Sequence, residues 1–232
     1  MRAGLLDEDA TVVRKSLAVA VATGTYGITA GALAVAAGLS VLQAMALSLL
    51  LFSGGSQFAF FGVIGAGGSP VAAVASSTLL GVRNGLYGLQ VSQLLGVHRW
   101  KRALAAHLTI DESTAVAVTQ QRTRQQRIGF WLTGAGIFVL WNLMTLVGAL
   151  AGSALGDPRA YGLDAAAAAA FVALLWPRLR GRDPLATGAL AAFVTVVVAP
   201  FVPAGIPVLA AVAAALVVGL PRRAPSAAQV DR

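Results

Sequence analysis

Three stretches hold the residues whose types and spacing could do chemistry. In LGVRNGLYG, Leu80 to Gly88, an arginine lies inside an apolar run, well short of its end. On a helix Arg83 and Tyr87 share a face at i and i+4, with Asn84 about one step around. An arginine near mid-bilayer costs at least ~2.5 to 3.5 kcal/mol on insertion scales, so it should face the bundle interior and have a partner. Its fixed fork suits a carboxylate, whether a ligand's or a helix's. The second stretch is LFSGGSQFAF, Leu51 to Phe60, where Gly54 and Gly55 followed by Ser56 and Gln57 interrupt an apolar run. Adjacent glycines weaken a helix by about 1 kcal/mol each relative to alanine. A helix restarting at Ser56 would point N–H donors and its positive dipole end at an anionic group, with Phe58 beside it. Alternatively the glycines serve close packing and Gln57 bonds a neighbouring helix.

The third stretch, HLTIDES from His107 to Ser113, read as one helix puts His107, Asp111 and Thr114 on one face and Glu112 about 100° away. Asp111 and Glu112 are candidates for binding an amine, pairing Arg83 or taking up a proton; an interfacial amphipathic helix with its acids in water is the alternative. A metal held by His107, Asp111 and Glu112 is weakly supported, because no second His pair matches, and none is expected. There is no cysteine, hence no thiolate nucleophile and no Cys-ligated metal; no cofactor is expected.

The elements that must position these residues are apolar runs. Hydrophobic residues make up 57% of 232 and charged ones 11%, with mean hydropathy +0.78, against roughly 25% charged in a soluble domain. Ser16–Ala37, Val41–Ile64, Pro70–Gly96, Ile128–Leu155, Asp164–Trp176, Leu185–Val202 and Ile206–Leu220 approach or exceed the ~17 to 25 residues that span a bilayer. The fold class is therefore all-α: a polytopic membrane helix bundle with six to eight membrane helices, some of them broken or re-entrant. Residues 1–15 are expected to be a cytoplasmic segment, 16–220 one transmembrane domain and 221–232 a short cytoplasmic tail. The acidic N-terminus (Asp7, Glu8, Asp9) does not read as a cleaved signal, so the first helix should remain as an anchor.

Net charge is +8, but the basic residues fall in short clusters between runs rather than along one face, which marks topology and not nucleic acid. Arg14 and Lys15; Arg99, Lys101 and Arg102; Arg122, Arg124 and Arg127; Arg178, Arg180 and Arg182; and Arg222 and Arg223 should all share the cytoplasmic side. Three full crossings before Arg99 would violate this. Re-entrant elements at Val41–Ile64 and Ala105–Thr119 remove the conflict and give six spans; letting both cross gives eight. Gly27/Gly31, Gly81/Gly85, Gly148/Gly152 and Gly152/Gly156 form small-xxx-small steps for helix packing. A faint echo between GALAVAAG at Gly31 and GALAGSAL at Gly148 could mark duplicated halves.

SQF, VRNGLYG and LTIDES in this order resemble the AzlC-like family, the large subunits of branched-chain amino acid exporters, over Val12 to about Leu220. Members usually carry Gly-Ala-Ser-Gln-Phe, an Arg-His pair ahead of Leu-Tyr-Gly, and Leu-Thr-Asp-Glu; here Gly55 replaces the alanine, Asn84 the histidine, and Ile110 intervenes before the acids. The resemblance implies a gradient-driven secondary exporter of hydrophobic amino acids in the cytoplasmic membrane, with a small AzlD-like membrane subunit as partner and not an enzyme. The substrate would contact Gly55, Ser56, Gln57, Phe58, Arg83, Asn84 and Tyr87, with His107, Asp111 and Glu112 binding its amine or coupling transport. An intramembrane enzyme acting on a lipid or peptide, and a structural membrane subunit without a pathway, are the alternatives.

Overall fold

The computed structural model describes residues 2–155, 172, 175, 176, 179–203 and 205–219, and all regular structure among them is helical. The chain divides into two units, Met1–Phe171 and Val172–Arg232. In the second, α9 (Arg182–Val198) runs through a short 3-10 turn, Ala199–Phe201, and packs on α10 (Ile206–Gly219). Arg182–Phe201 is long and apolar enough to span a membrane. Most of the Asp164–Trp176 run and the 221–232 tail lie outside the described residues.

The first unit holds the site. Its scaffold is a pair of parallel helices. Helix α1 (Arg2–Thr25) continues past a joint at Tyr26 as α2 (Gly27–Ala36), and α8 spans Thr123–Ala154. At one end Glu8 pairs with Arg122 at 2.8 Å and Asp9 with Arg124 at 3.0 Å, while Gln125 donates to Glu8 at 3.1 Å. Further along, a Cβ on Gly24 would meet Leu140, one on Gly27 the Trp141 carbonyl, one on Gly31 the Thr145 carbonyl, and one on Gly148 the Ile28 carbonyl. Both chains thus climb in step. Backbones this close gain dispersion contacts that lipid cannot supply by a hydrophobic drive. Gly27/Gly31 and Gly148/Gly152 serve the seam as expected, as do the unanticipated Gly24 and Gly136. Gly85 does not, because a Cβ there meets nothing within 4 Å; Gly156 lies outside the described residues. Residues 2–15 form the first turns of α1, where Val12 is already buried.

Between α2 and α8 the chain makes two V-shaped hairpins and one crossing, and α8 serves as the ruler. The first hairpin descends as α3 (Val41–Leu50), breaks at residues 51–53 and returns as α4 (Gly54–Gly65). Ser48 lies beside Thr145, Gly54 beside the Trp141 ring, and Gly65 is back beside Ala37 at the end of α2. Both tight turns at that end carry a left-handed glycine, Gly38 (φ +92°) and Gly67 (φ +78°). Leu39 N–H donates back to Ala34 and Gly68 N–H to Val63, the paired bonds that close a helix C-terminus.

Helix α5 (Pro70–Leu95) then crosses, its 26 residues rising about 39 Å, and ends where Arg127 donates to the Leu94 carbonyl. The second hairpin enters from this opposite end: α6 (Trp100–His107), a break at 108–110, and α7 (Asp111–Val118). His107 lies against Phe138, Gly134 against Leu108 and Ser113, Gly129 against Val116, and Lys15 donates to Thr119 at 3.3 Å. The chain has gone halfway up α8 and come back. Both hairpins are therefore re-entrant, so the clusters at Arg14, Arg99 and Arg122 gather at one end of this unit without a violated rule.

Candidate functional site

The tips of the two hairpins meet halfway along α8. Phe52 in the first break is 5.9 Å from the His107 ring and 5.1 Å from Phe138; His107 and Phe138 are 5.4 Å apart, edge to face. This aromatic cluster escapes sequence reasoning because its members are scattered across three elements.

In the first break, polar side chains take over the backbone. Gln57, wholly buried, donates its amide to the carbonyls of Leu51 (2.7 Å), Leu47 (3.4 Å) and Ser48 (3.5 Å), and accepts from Trp141 Nε1 at 2.9 Å. Non-helical backbone at membrane depth needs such partners. Gln57 is thus the clasp of the hairpin, with its amide fully engaged inside the protein. Ser56 is also fully buried; its hydroxyl accepts from Ser53 at 3.1 Å and its carbonyl from Ser77 at 2.9 Å. Phe58 packs edge-on to Trp141 and Phe61. These three residues build the site's wall rather than its open face.

The expectation that Gly54 and Gly55 form the break, with the helix restarting at Ser56, is corrected. The break is a turn earlier, and the glycines open α4. Gly55 faces α5, where a Cβ would stand 2.9 Å from Arg83 Nη2, and Gly54 gives the Trp141 ring its place. An alanine at Gly55 meets only the tip of a flexible side chain. Gly55→Ala should therefore fold normally yet push the guanidinium aside, changing ligand affinity several-fold with little change in thermal unfolding; unchanged affinity in a binding titration would mean that Arg83 has slack.

The second break also departs from expectation. His107 closes α6 and Asp111 opens α7, so they do not share a helical face. Thr109 donates its hydroxyl to the Ala105 carbonyl at 2.7 Å. Ser113 donates to Leu108 at 2.7 Å and accepts the Ile110 N–H at 3.1 Å. Such local bonds compete with the helix and end it without glycine or proline. The extra Ile110 becomes the buried, extended residue ahead of α7.

Arg83 Nη1 pairs with Asp111 Oδ2 at 3.2 Å, joining α5 to the mouth of α7 at partly accessible side chains, 29% and 20% exposed. Glu112 is half-buried beside Asp111, and Asn84 and Tyr87 are half-buried on α5. Several buried polar atoms around this pair have no hydrogen-bond partner: Arg83 Nε, Asn84 Oδ1 and Thr114 Oγ1. The structure thus brings together Gly55, Arg83 and Asp111, with Asn84 next to Arg83 on α5 and Thr114 one turn past Asp111. It holds His107 among phenyl rings. Among the described residues no three His, Asp or Glu side chains converge as a metal would need.

Comparison with known proteins agrees with this frame. Residues 18–155, which contain both hairpins and the ion pair, match the family described as AzlC protein. A relative from Archaeoglobus fulgidus, titled an uncharacterized membrane protein, is 35% identical over 156 residues, 66% of this chain and 68% of that protein. No solved structure matches the chain. This chain is a membrane protein of the AzlC family.

Proposed function

We propose that the chain is the large subunit of a secondary exporter of branched-chain or related hydrophobic amino acids. The observation that carries this reading is the Arg83–Asp111 pair at the meeting point of two re-entrant hairpins that enter from opposite ends. Discontinuous helices converging on a midplane site are the arrangement that lets access alternate around a fixed ligand. A zwitterion can replace the internal pair without leaving either charge unmatched: its carboxylate goes to Arg83, its ammonium to Asp111 or Glu112. Its aliphatic chain then lies against Phe52 and Phe138. His107 packs against the rings of Phe52 and Phe138 at the same meeting point. The basic end of the first unit is the cytoplasmic one in this reading, in the cytoplasmic membrane, and a small AzlD-like membrane protein is the partner.

The test is efflux from cells loaded with a leucine-containing dipeptide, with this chain co-expressed with the neighbouring small membrane protein. Leucine, isoleucine and valine should leave faster than from cells lacking the chain, while lysine released from a control dipeptide should not. Equal efflux of all four amino acids with and without the chain would rule the reading out.

A further inference from the structure

The two hairpin-and-helix halves repeat each other. The breaks at 51–53 and 108–110, the helix starts at Gly54 and Asp111, the helix ends at Leu50 and His107, and the packed serines Ser56 and Ser113 are each separated by 57 residues. In each half the second leg of the hairpin packs on the long helix that follows. Ser77 of α5 bonds the Ser56 carbonyl, and its counterpart on α8, Gly134, lies against Ser113. Even the defects recur, for Ser76 and Thr133, also 57 apart, are both buried hydroxyls without a partner. The halves enter from opposite ends, so they form an inverted pair. The echo between Gly31 and Gly148 is a different thing: those segments pack on each other in parallel.

Exchange of the halves sends Gln57 to Thr114 and Trp141 to Asn84. In one half this pair is a closed, buried hydrogen bond, Trp141 Nε1 to Gln57 Oε1 at 2.9 Å. In the other, both residues end in oxygens left without partners, on a Thr114 that is 95% buried. Arg83, which precedes Asn84, and Asp111, one turn before Thr114, hold these two elements together. We propose that Asn84 and Thr114 complete the subsite for a primary ammonium group whose charge Asp111 or Glu112 balances, in the half that the duplication has left open. Asn84 Oδ1 can only accept and the Thr114 hydroxyl can accept as well as donate, which suits an ammonium with three N–H donors. The unpartnered Arg83 Nε–H is left for a carboxylate. This deepens the transport reading and rests on it for the choice of leucine as a probe, although the subsite can be tested without transport.

The experiment uses the full-length chain in detergent and three probes: leucine, isoamylamine (leucine without its carboxylate) and 4-methylpentanoate (leucine without its amine). Binding is read by thermal shift and titration. Thr114→Val should weaken isoamylamine and leucine roughly tenfold or more and leave 4-methylpentanoate unchanged, while Thr114→Ser should restore amine binding; Asn84→Ala gives the same reading from the α5 side if Thr114→Val does not fold. Amine binding unaffected in both Thr114→Val and Asn84→Ala, or no amine binding by the unmodified chain, overturns the subsite. Thr114-dependent amine binding without leucine efflux keeps the subsite and rejects the exporter. Leucine efflux and affinity untouched in Thr114→Val rejects the subsite and keeps the exporter.

Discussion

Arg83→Lys is expected to reduce leucine efflux by roughly 30- to 150-fold at equal expression, the worth of about 2 to 3 kcal/mol of charge-assisted hydrogen bonding. Lysine keeps the charge and should still reach Asp111, so the protein should unfold within a few degrees of the parent. What it loses is the rigid planar fork of five N–H donors, which can hold Asp111 and a carboxylate in fixed geometry, or a carboxylate by two parallel bonds. Arg83→Gln removes the charge as well. It removes the cationic partner of Asp111 on α5, and breaking a buried pair in this way costs about 3 to 5 kcal/mol; with the two side chains 29% and 20% exposed, the low end applies. Adding Asp111→Asn to Arg83→Gln should recover stability without recovering efflux. Efflux rates beside unfolding temperatures in detergent separate these cases, and normal efflux by Arg83→Lys would remove Arg83 from the pathway.

Gly148→Ala should be, with Gly31→Ala, among the most damaging single methyls that can be added to the first unit. Its Cβ would overlap the Ile28 carbonyl and crowd Ile28 Cα, backbone atoms that cannot rotate away. Overpacking of this kind costs about 1 to 3 kcal/mol and occasionally more, here across the seam that holds the two scaffold helices. The matched comparison is Gly85→Ala. That position is also a helical glycine in an apolar segment, yet a Cβ there meets nothing within 4 Å, and alanine gains up to about 1 kcal/mol in helix propensity. Folded yield and unfolding temperature should fall for the first substitution and hold or rise for the second. If both fall equally, the seam is looser than these distances require.

Sequence reasoning reached the helical membrane class and the residues that meet at Arg83 because charge inside apolar runs is conspicuous. It named pairing with Arg83 as one use of Asp111. It misplaced the breaks for a physical reason: glycines are the visible weak points, but here the helix is ended by side chains that bond the backbone, Gln57 in one hairpin and Thr109 and Ser113 in the other. Such bonds depend on the fold that encloses them. Gly54 and Gly55 instead make room for Trp141 and Arg83 from other helices. The contacts of Gln57 with Trp141, and of Phe52 with Phe138 and His107, join residues far apart in the chain, and no local periodicity announces them.

Because α1–α2 and α8 run in the same direction, the chain between them has to come back to the side from which it started, and α5 alone accomplishes that return. The hairpins add nothing to the count. Each could be shortened, or lost, without changing the side on which α8 begins, whereas loss of α5 would turn over everything that follows it. A reporter fused after residue 155 should therefore read the same compartment when either hairpin is excised and the opposite one when α5 is. In this protein the hairpins and the helix that sets orientation are separate pieces of chain, so the hairpins are free to vary without risk to insertion.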